Sequence, residues 1–125
     1  MLKVDAVWAD LVRPLRKDGL VDLLVFNPPY VVTPSEEVLP SLCDASMLHR
    51  AWAGGKRGRE VTDRLLPHVD ALLARRALFY LVVIQENDPD DLASIINGYG
   101  FQSYIVKSRK VRGEHLSVMR FSRRL

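Results

Sequence analysis

Within four consecutive residues, Asn27-Pro28-Pro29-Tyr30, this 125-residue chain sets two hydrogen-bond acceptors and an aromatic ring. The Asn27 side-chain oxygen and the Pro28 backbone carbonyl accept hydrogen bonds, and the Tyr30 ring can lie flat on a planar group. That set suits a planar amide or an exocyclic amine. The acceptors take its N–H hydrogens, the ring fixes its plane, and its nitrogen lone pair is aimed at an electrophile. No strong general base is required if the acceptors stabilise the charge growing on nitrogen. Pro28 and Pro29 fix φ at consecutive positions and remove two backbone donors, so the segment is stiff. The plain alternative is that an Asn-Pro-Pro run ends a strand.

Other candidates are less specific. Asp10 with Leu11 follows a short alternating segment and could hold a ligand's donor group, or cap a turn. Trp52, Gly54 and Gly55, with Gly58, form a segment whose glycines either let backbone approach a substrate or cap the next helix. They follow a loop instead of a strand, so they do not make a dinucleotide fingerprint. His49, His68 and His115 are scattered, and the single Cys43 has no disulfide partner within the chain, so no metal site is expected.

A composition of 48% hydrophobic and 26% charged residues is that of one globular domain. No apolar run approaches the roughly 20 residues of a membrane span, and Lys3 and Asp5 stand where a signal peptide is apolar, so a cytoplasmic protein, with a nuclear pool allowed, is expected. The net charge of +3 is unevenly spread. Lys107, Arg109, Lys110, Arg112, Arg120, Arg123 and Arg124 face only Glu114, which suits an acidic partner or nucleic acid. Without interleaved aromatic rings for stacking, a solvated hairpin face explains that stretch equally well.

The elements that position these residues follow from periodicity. Val4, Ala6 and Trp8 predict a short strand with Asp10 at its carboxyl end. Residues 11–19, broken by Pro14, read as a loop. The run from Val21 to Phe26 predicts a buried parallel strand that delivers Asn27 to Tyr30 into a loop. Residues 39–50 read as a long irregular loop, either substrate-facing or mobile. Apolar spacing predicts a helix over residues 59–73, kinked at Pro67, and Ala77 to Ile84 a second buried strand. Asn87 or Asp88 caps a helix that starts at Pro89 and ends at Gly98 to Gly100. Strands over 104–111 and 115–121 form a hairpin turning at Arg112-Gly113. Alternating strands and helices predict an α/β fold with parallel strands, crossover helices and a final antiparallel hairpin. In such sheets ligands bind beyond the strands' carboxyl ends, which puts Asp10 and Asn27 to Tyr30 on one rim.

The Asn27-Pro28-Pro29-Tyr30 signature after an apolar strand resembles that of class I S-adenosylmethionine-dependent methyltransferases acting on planar nitrogens. Val21 through Pro34, with Ala51-Trp52-Ala53-Gly54-Gly55 and Gly58-Arg59-Glu60, looks like the eukaryotic and archaeal HemK-like branch. The resemblance implies the carboxyl-terminal half of a Rossmann-like methyltransferase sheet. It also implies methylation of the glutamine in the Gly-Gly-Gln loop of the class I translation termination factor. Histone lysine and DNA adenine are alternative substrates of the same branch. The implied roles are an amide clamp of Asn27, Pro28, Pro29 and Tyr30, cofactor contacts from Asp10, Leu11 and Asn27, and a substrate loop at Trp52, Gly54 and Gly55. A small zinc-binding activator subunit would add a strand along Val4 to Trp8. The family's Gly-rich first turn and ribose-binding acid have no match here. Residues 1–125 are therefore expected to be a single partial domain, and a truncated, inactive interaction module is the competing reading.

Overall fold

The computed structural model describes residues 2–38 and 48–124. Six elements carry the architecture: β1 (Val21–Phe26), α1 (Glu60–Leu72), β2 (Leu73–Ile84), α2 (Pro89–Asn97), β3 (Phe101–Val111) and β4 (Glu114–Arg123). They build one mixed sheet in the order β1-β2-β4-β3, with β1 parallel to β2 and the other pairs antiparallel. The expected order of strands and helices is found from Val21 onward.

Strand alternation decides where the core lies. Ala77, Phe79, Leu81 and Val83 of β2 are buried, and their partners Leu24, Phe26, Met119 and Phe121 point the same way. Leu65, Leu66, Val69 and Leu72 of α1, with Leu92 and Ile96 of α2, close this face. Phe79 and Phe121 sit at its centre with ring centroids 5.5 Å apart. Burying a side chain of that size contributes about 1.5–3 kcal/mol. The opposite face carries no helix among the described residues. Leu23 is 58% and Val25 64% exposed, and Leu78, Tyr80, Val82 and Val118 are half-buried beside them. The expectation of a buried β1 is thus corrected: it is an edge strand, with Val21, Leu24 and Phe26 half-buried against the core and the other face open.

Local chemistry sets the ends. Pro67 is accommodated within α1, which remains one helix over its 13 residues. Asp88 caps α2, its side chain accepting from the Asp91 amide, with Pro89 at the first helical position. At the hairpin turn Arg112 (φ 49°) and Gly113 (φ 83°) are both left-handed, the geometry that matches the twist of two adjoining strands. At the end of β4 the Arg123 guanidinium lies 4.7 Å over the Phe101 ring and donates to the Asp70 side chain and the Leu73 carbonyl.

One expected element does not form. Val4 to Trp8 is not a strand: residues 2–9 have no strand assignment, and Val4 is 90% and Trp8 93% exposed. Alternation permits a strand, but a ladder needs a neighbour for its N–H and C=O groups, and none of the four sheet strands lies beside this segment. The expected long loop falls mostly in residues 39–47, outside the described residues, as does Cys43. No helix among the described residues is long and apolar enough to cross a membrane.

Candidate functional site

β1 delivers the site. Its ladder to β2 ends with Phe26 opposite Leu81, and the two prolines then turn the chain away from the sheet. Pro28 is buried, Pro29 and Tyr30 are half-buried, and Asn27 is exposed. No hydrogen bond from a described residue engages the Asn27 carboxamide, so both its oxygen and its nitrogen are open to a ligand.

The loop beyond Tyr30 is zipped onto the glycine segment. The Val31 amide donates to the Trp52 carbonyl at 3.0 Å, the Gly54 amide to Val31 at 2.8 Å, and the Thr33 amide to Gly55 at 3.1 Å. Val31 and Ala53 form a parallel bridge. The Thr33 hydroxyl accepts from the Gly55 amide at 3.0 Å. Trp52 is 39% exposed at the start of this ladder.

The glycines are required by the chain's own backbone. A Cβ on Gly54 would lie 2.5 Å from the Pro29 carbonyl oxygen, and one on Gly58 (φ +65°) 2.1 Å from that of Tyr30. Both approaches are closer than any side chain tolerates, so these glycines seat the Pro29-Tyr30 backbone. The expected substrate-loop residues are thus beside the expected clamp, and what they demonstrably touch is the clamp's support.

Asn87 was expected only as a helix cap, and the structure gives it a different task. It is 2% exposed, and its side-chain oxygen accepts from the Ile84 amide at 2.8 Å. Its nitrogen donates to the Tyr30 carbonyl at 2.9 Å and the Arg57 carbonyl at 3.0 Å, with Gly58 at 3.4 Å. One carboxamide therefore joins the end of β2, the Tyr30 loop and the glycine segment. The only sequence signal was a second polar residue directly before the Asp88 cap.

Charged residues brace the same junction. Arg59, 2% exposed, donates to Asp63 at 2.8 Å, to Asp91 at 3.0 Å and to the Asn87 carbonyl at 3.0 Å. Arg57 pairs with Asp88 at 3.0 Å. The Glu60 carboxylate accepts from the Lys56 amide at 2.6 Å and the Ser35 hydroxyl at 2.7 Å. Chiefly the backbone bond from Lys56, then the Ser35 bond, hold its pKa below the ordinary glutamate value.

Asp10 and Leu11 reach the same side of the molecule. An open cleft of about 980 Å³ is lined by Asp10, Leu11, Phe26, Pro29, Ala53 and Arg64, among others. Asp10 accepts through Oδ2 from Arg64 on α1, and its Oδ1 has no partner among the described residues. Leu11 is left-handed (φ 53°), a costly conformation for a branched side chain, of the kind that clusters in ligand-binding turns. Of the residues expected on one rim, Asp10, Leu11 and Pro29 share this cleft; Asn27, Pro28 and Tyr30 are not among its lining residues, and Asp10 does not end a strand.

A parallel β-helix-β unit continued by an antiparallel hairpin, with a strand-end Asn-Pro-Pro-Tyr loop opening on a cleft, is the architecture of a methyltransferase sheet. No family model matches the chain. It is 48% identical over 122 residues to mouse "Methyltransferase HEMK2", covering 96% of this chain and 55% of that protein. It is 39% identical over 109 residues to the fission yeast "eRF1 methyltransferase catalytic subunit mtq2", covering 87% of this chain and 46% of that one. Among solved structures it superposes with a TM-score of 0.71 and 30% identity on the E. cuniculi Mtq2-Trm112 complex, described as responsible for the methylation of the eRF1 translation termination factor. That match covers 94% of this chain and 60% of the other. Over most of its own length the chain is thus similar to methyltransferases of the HEMK2 and Mtq2 kind, and it spans about half the length of the curated relatives it matches.

Proposed function

We propose that the chain carries the substrate clamp of an S-adenosylmethionine-dependent protein-glutamine N-methyltransferase acting on the termination factor's Gly-Gly-Gln loop. The single observation that carries the reading is the exposed, unbonded Asn27 carboxamide on a loop whose backbone is fixed from below by Asn87, Gly54 and Gly58. The Asn27 oxygen and the Pro28 carbonyl accept the two amide hydrogens, and Tyr30 holds the amide plane. When bound, the cofactor supplies a methyl group on a sulfonium. The open Oδ1 of Asp10 suits its adenine amine, Arg64 fixes that carboxylate, and the strained Leu11 turn and Phe26 border the space. With substrate positioning supplied by fixed acceptors, the nitrogen needs no dedicated base before attack.

The names of the relatives support this substrate, and the two-protein make-up of the Mtq2-Trm112 complex supports a small activator partner. The exposed Leu2, Val4, Val7 and Trp8 are the apolar positions such a partner would organise by strand addition. The competing reading, an inactive module, makes the opposite forecast in calorimetry. Micromolar binding of the cofactor by the chain, alone or with the activator, favours the enzyme; no heat under either condition ends the enzyme reading for this chain. Asn27→Ala should lower methyl transfer about 100-fold while leaving the unfolding midpoint in place, because the side chain supports nothing in the fold. Transfer at the native rate would remove Asn27 from the clamp.

A further inference from the structure

We propose that the β3–β4 hairpin is a docking arm for an acidic surface of the same protein that presents its amide to Asn27 and Tyr30; the inference rests on the methyl-transfer reading. Register puts the arm in reach. β2 ends at Ile84, opposite Leu116, while β3 and β4 continue through the pairs Lys110 with His115 and Val111 with Glu114. The turn therefore stands roughly 10 Å past the end of β2, at about 3.3 Å per residue. In the order β1-β2-β4-β3 it rises from the same rim as the Asn27 loop, with β3 three strand spacings, roughly 14 Å, from β1.

The arm's charge is unspent. Lys107, Arg109, Lys110 and Arg112 are exposed, and none of their side chains has a hydrogen bond or ion pair with a described residue. Arg57, Arg59, Arg64 and Arg123 are each held by an aspartate. Glu114 is the arm's one acid. Lys107 and Arg109 lie on the helix-free side of the sheet, opposite Val118 and Leu116. Glu36, Glu86 and Asp90 stand exposed on the other segments of the rim. A cationic arm facing an acidic loop edge makes a two-signed field, which admits a partner in one orientation and speeds encounter.

Protein fits the arm better than nucleic acid. The cations are interleaved with Val106, 42% exposed, and Val111, 39% exposed, and the rings at hand are Tyr104, 49% exposed with the Arg120 guanidinium 5.4 Å from its centroid, and His115 opposite Lys110. One tyrosine and one histidine do not make the row of rings on which successive bases stack.

The test is binding of labelled termination factor to the chain at about 50 and 200 mM salt, with single-stranded RNA of mixed sequence as the second probe. The combined variant Lys107→Glu, Arg109→Glu, Lys110→Glu should weaken factor binding at least tenfold at low salt and flatten its salt dependence. The corresponding glutamine variant should fall between, with both unfolding midpoints native. No binding of the factor by the wild-type chain, equal binding by the charge-reversed variant, or RNA binding that is tighter than factor binding and lost on charge reversal would each overturn the proposal. Asn27→Ala keeps the two readings separable: because Asn27 carries no charge, its loss should leave the salt dependence of factor binding as in the wild type. Native methyl transfer by Asn27→Ala counts against the clamp, whereas native affinity of the charge-reversed variant counts against the arm.

Discussion

Replacing Asn87 by alanine strips three chain segments of one shared carboxamide. The Ile84 amide, in a residue only 4% exposed, loses its acceptor, which costs about 1–3 kcal/mol for a buried unpaired donor. The Tyr30 and Arg57 carbonyls each lose a bond whose net contribution is about 1 kcal/mol, partly recovered because Arg57 is exposed and its carbonyl can be hydrated. The sum is a destabilisation of about 2–4 kcal/mol, a large share of the roughly 5–15 kcal/mol that holds a domain together. Urea unfolding followed by circular dichroism should show the midpoint falling by about 1–2 M, for a slope near ~2 kcal/mol per M. Amide hydrogen exchange gives the local half of the reasoning. The Val31 and Gly54 amides, which form the ladder beneath Tyr30, should lose more protection than the amide of Leu81 in β2. A midpoint within about 0.5 M of the native value, with Val31 and Gly54 protected as before, would refute the role assigned to Asn87. The near-isosteric Asn87→Asp supplies a second check. It turns the donor into an acceptor facing carbonyl oxygens, and should be at least as damaging at neutral pH.

Gly58→Ala adds a Cβ at a left-handed position and within 2.1 Å of the Tyr30 carbonyl, so a loss of about 2–4 kcal/mol, or a displaced Tyr30 seen as altered tyrosine fluorescence, is expected; a native-like variant by both measures would contradict the packing. Arg59→Met should cost about 1–3 kcal/mol in thermal unfolding, less than the loss of a fully buried pair because Asp63 and Asp91 remain half-hydrated. The Glu60 pKa is lowered in the folded state, so its contribution is full above the ordinary glutamate value and fades as pH falls through the lower folded value. The stability gap between wild type and Glu60→Gln should therefore be constant from neutral pH to mildly acidic pH and close below it. A gap that widens on acidification would reverse that sign.

Sequence made most of the sheet legible where burial dominates. The runs from Val21 and from Ala77 supply the core on alternate positions, and the three- and four-residue spacing from Leu65 to Leu72 is α1's buried stripe. Asp88 and Pro89 announced the start of α2 by the chemistry of the helix end. Val4 to Trp8 misled because periodicity reports which side a residue would face, not whether a neighbouring strand is there to bond it. Within the site, the Asn27 loop was legible because consecutive prolines are rare and rigid. Asn87 was not, because a buried asparagine and a capping one look alike until the partners of the carboxamide are known. The glycines at 54 and 58 stood out, but the atoms that exclude a Cβ come from Pro29 and Tyr30, some 25 residues earlier, and only folding brings them together.

The bond from Asn87 to the Tyr30 carbonyl spans 57 residues, and this has a consequence for synthesis. The Asn27 loop leaves the ribosome well before the residue that fixes it. At roughly 5–20 residues per second, the interval is roughly 3–11 s. For most of that time β1 is without its partner, since β2 precedes Asn87 by only a few residues. Closing the Asn87 junction then pins strand end, loop and glycine segment in one event, while β3 and β4, which bring Phe101, Met119 and Phe121 to the core, are still to be made.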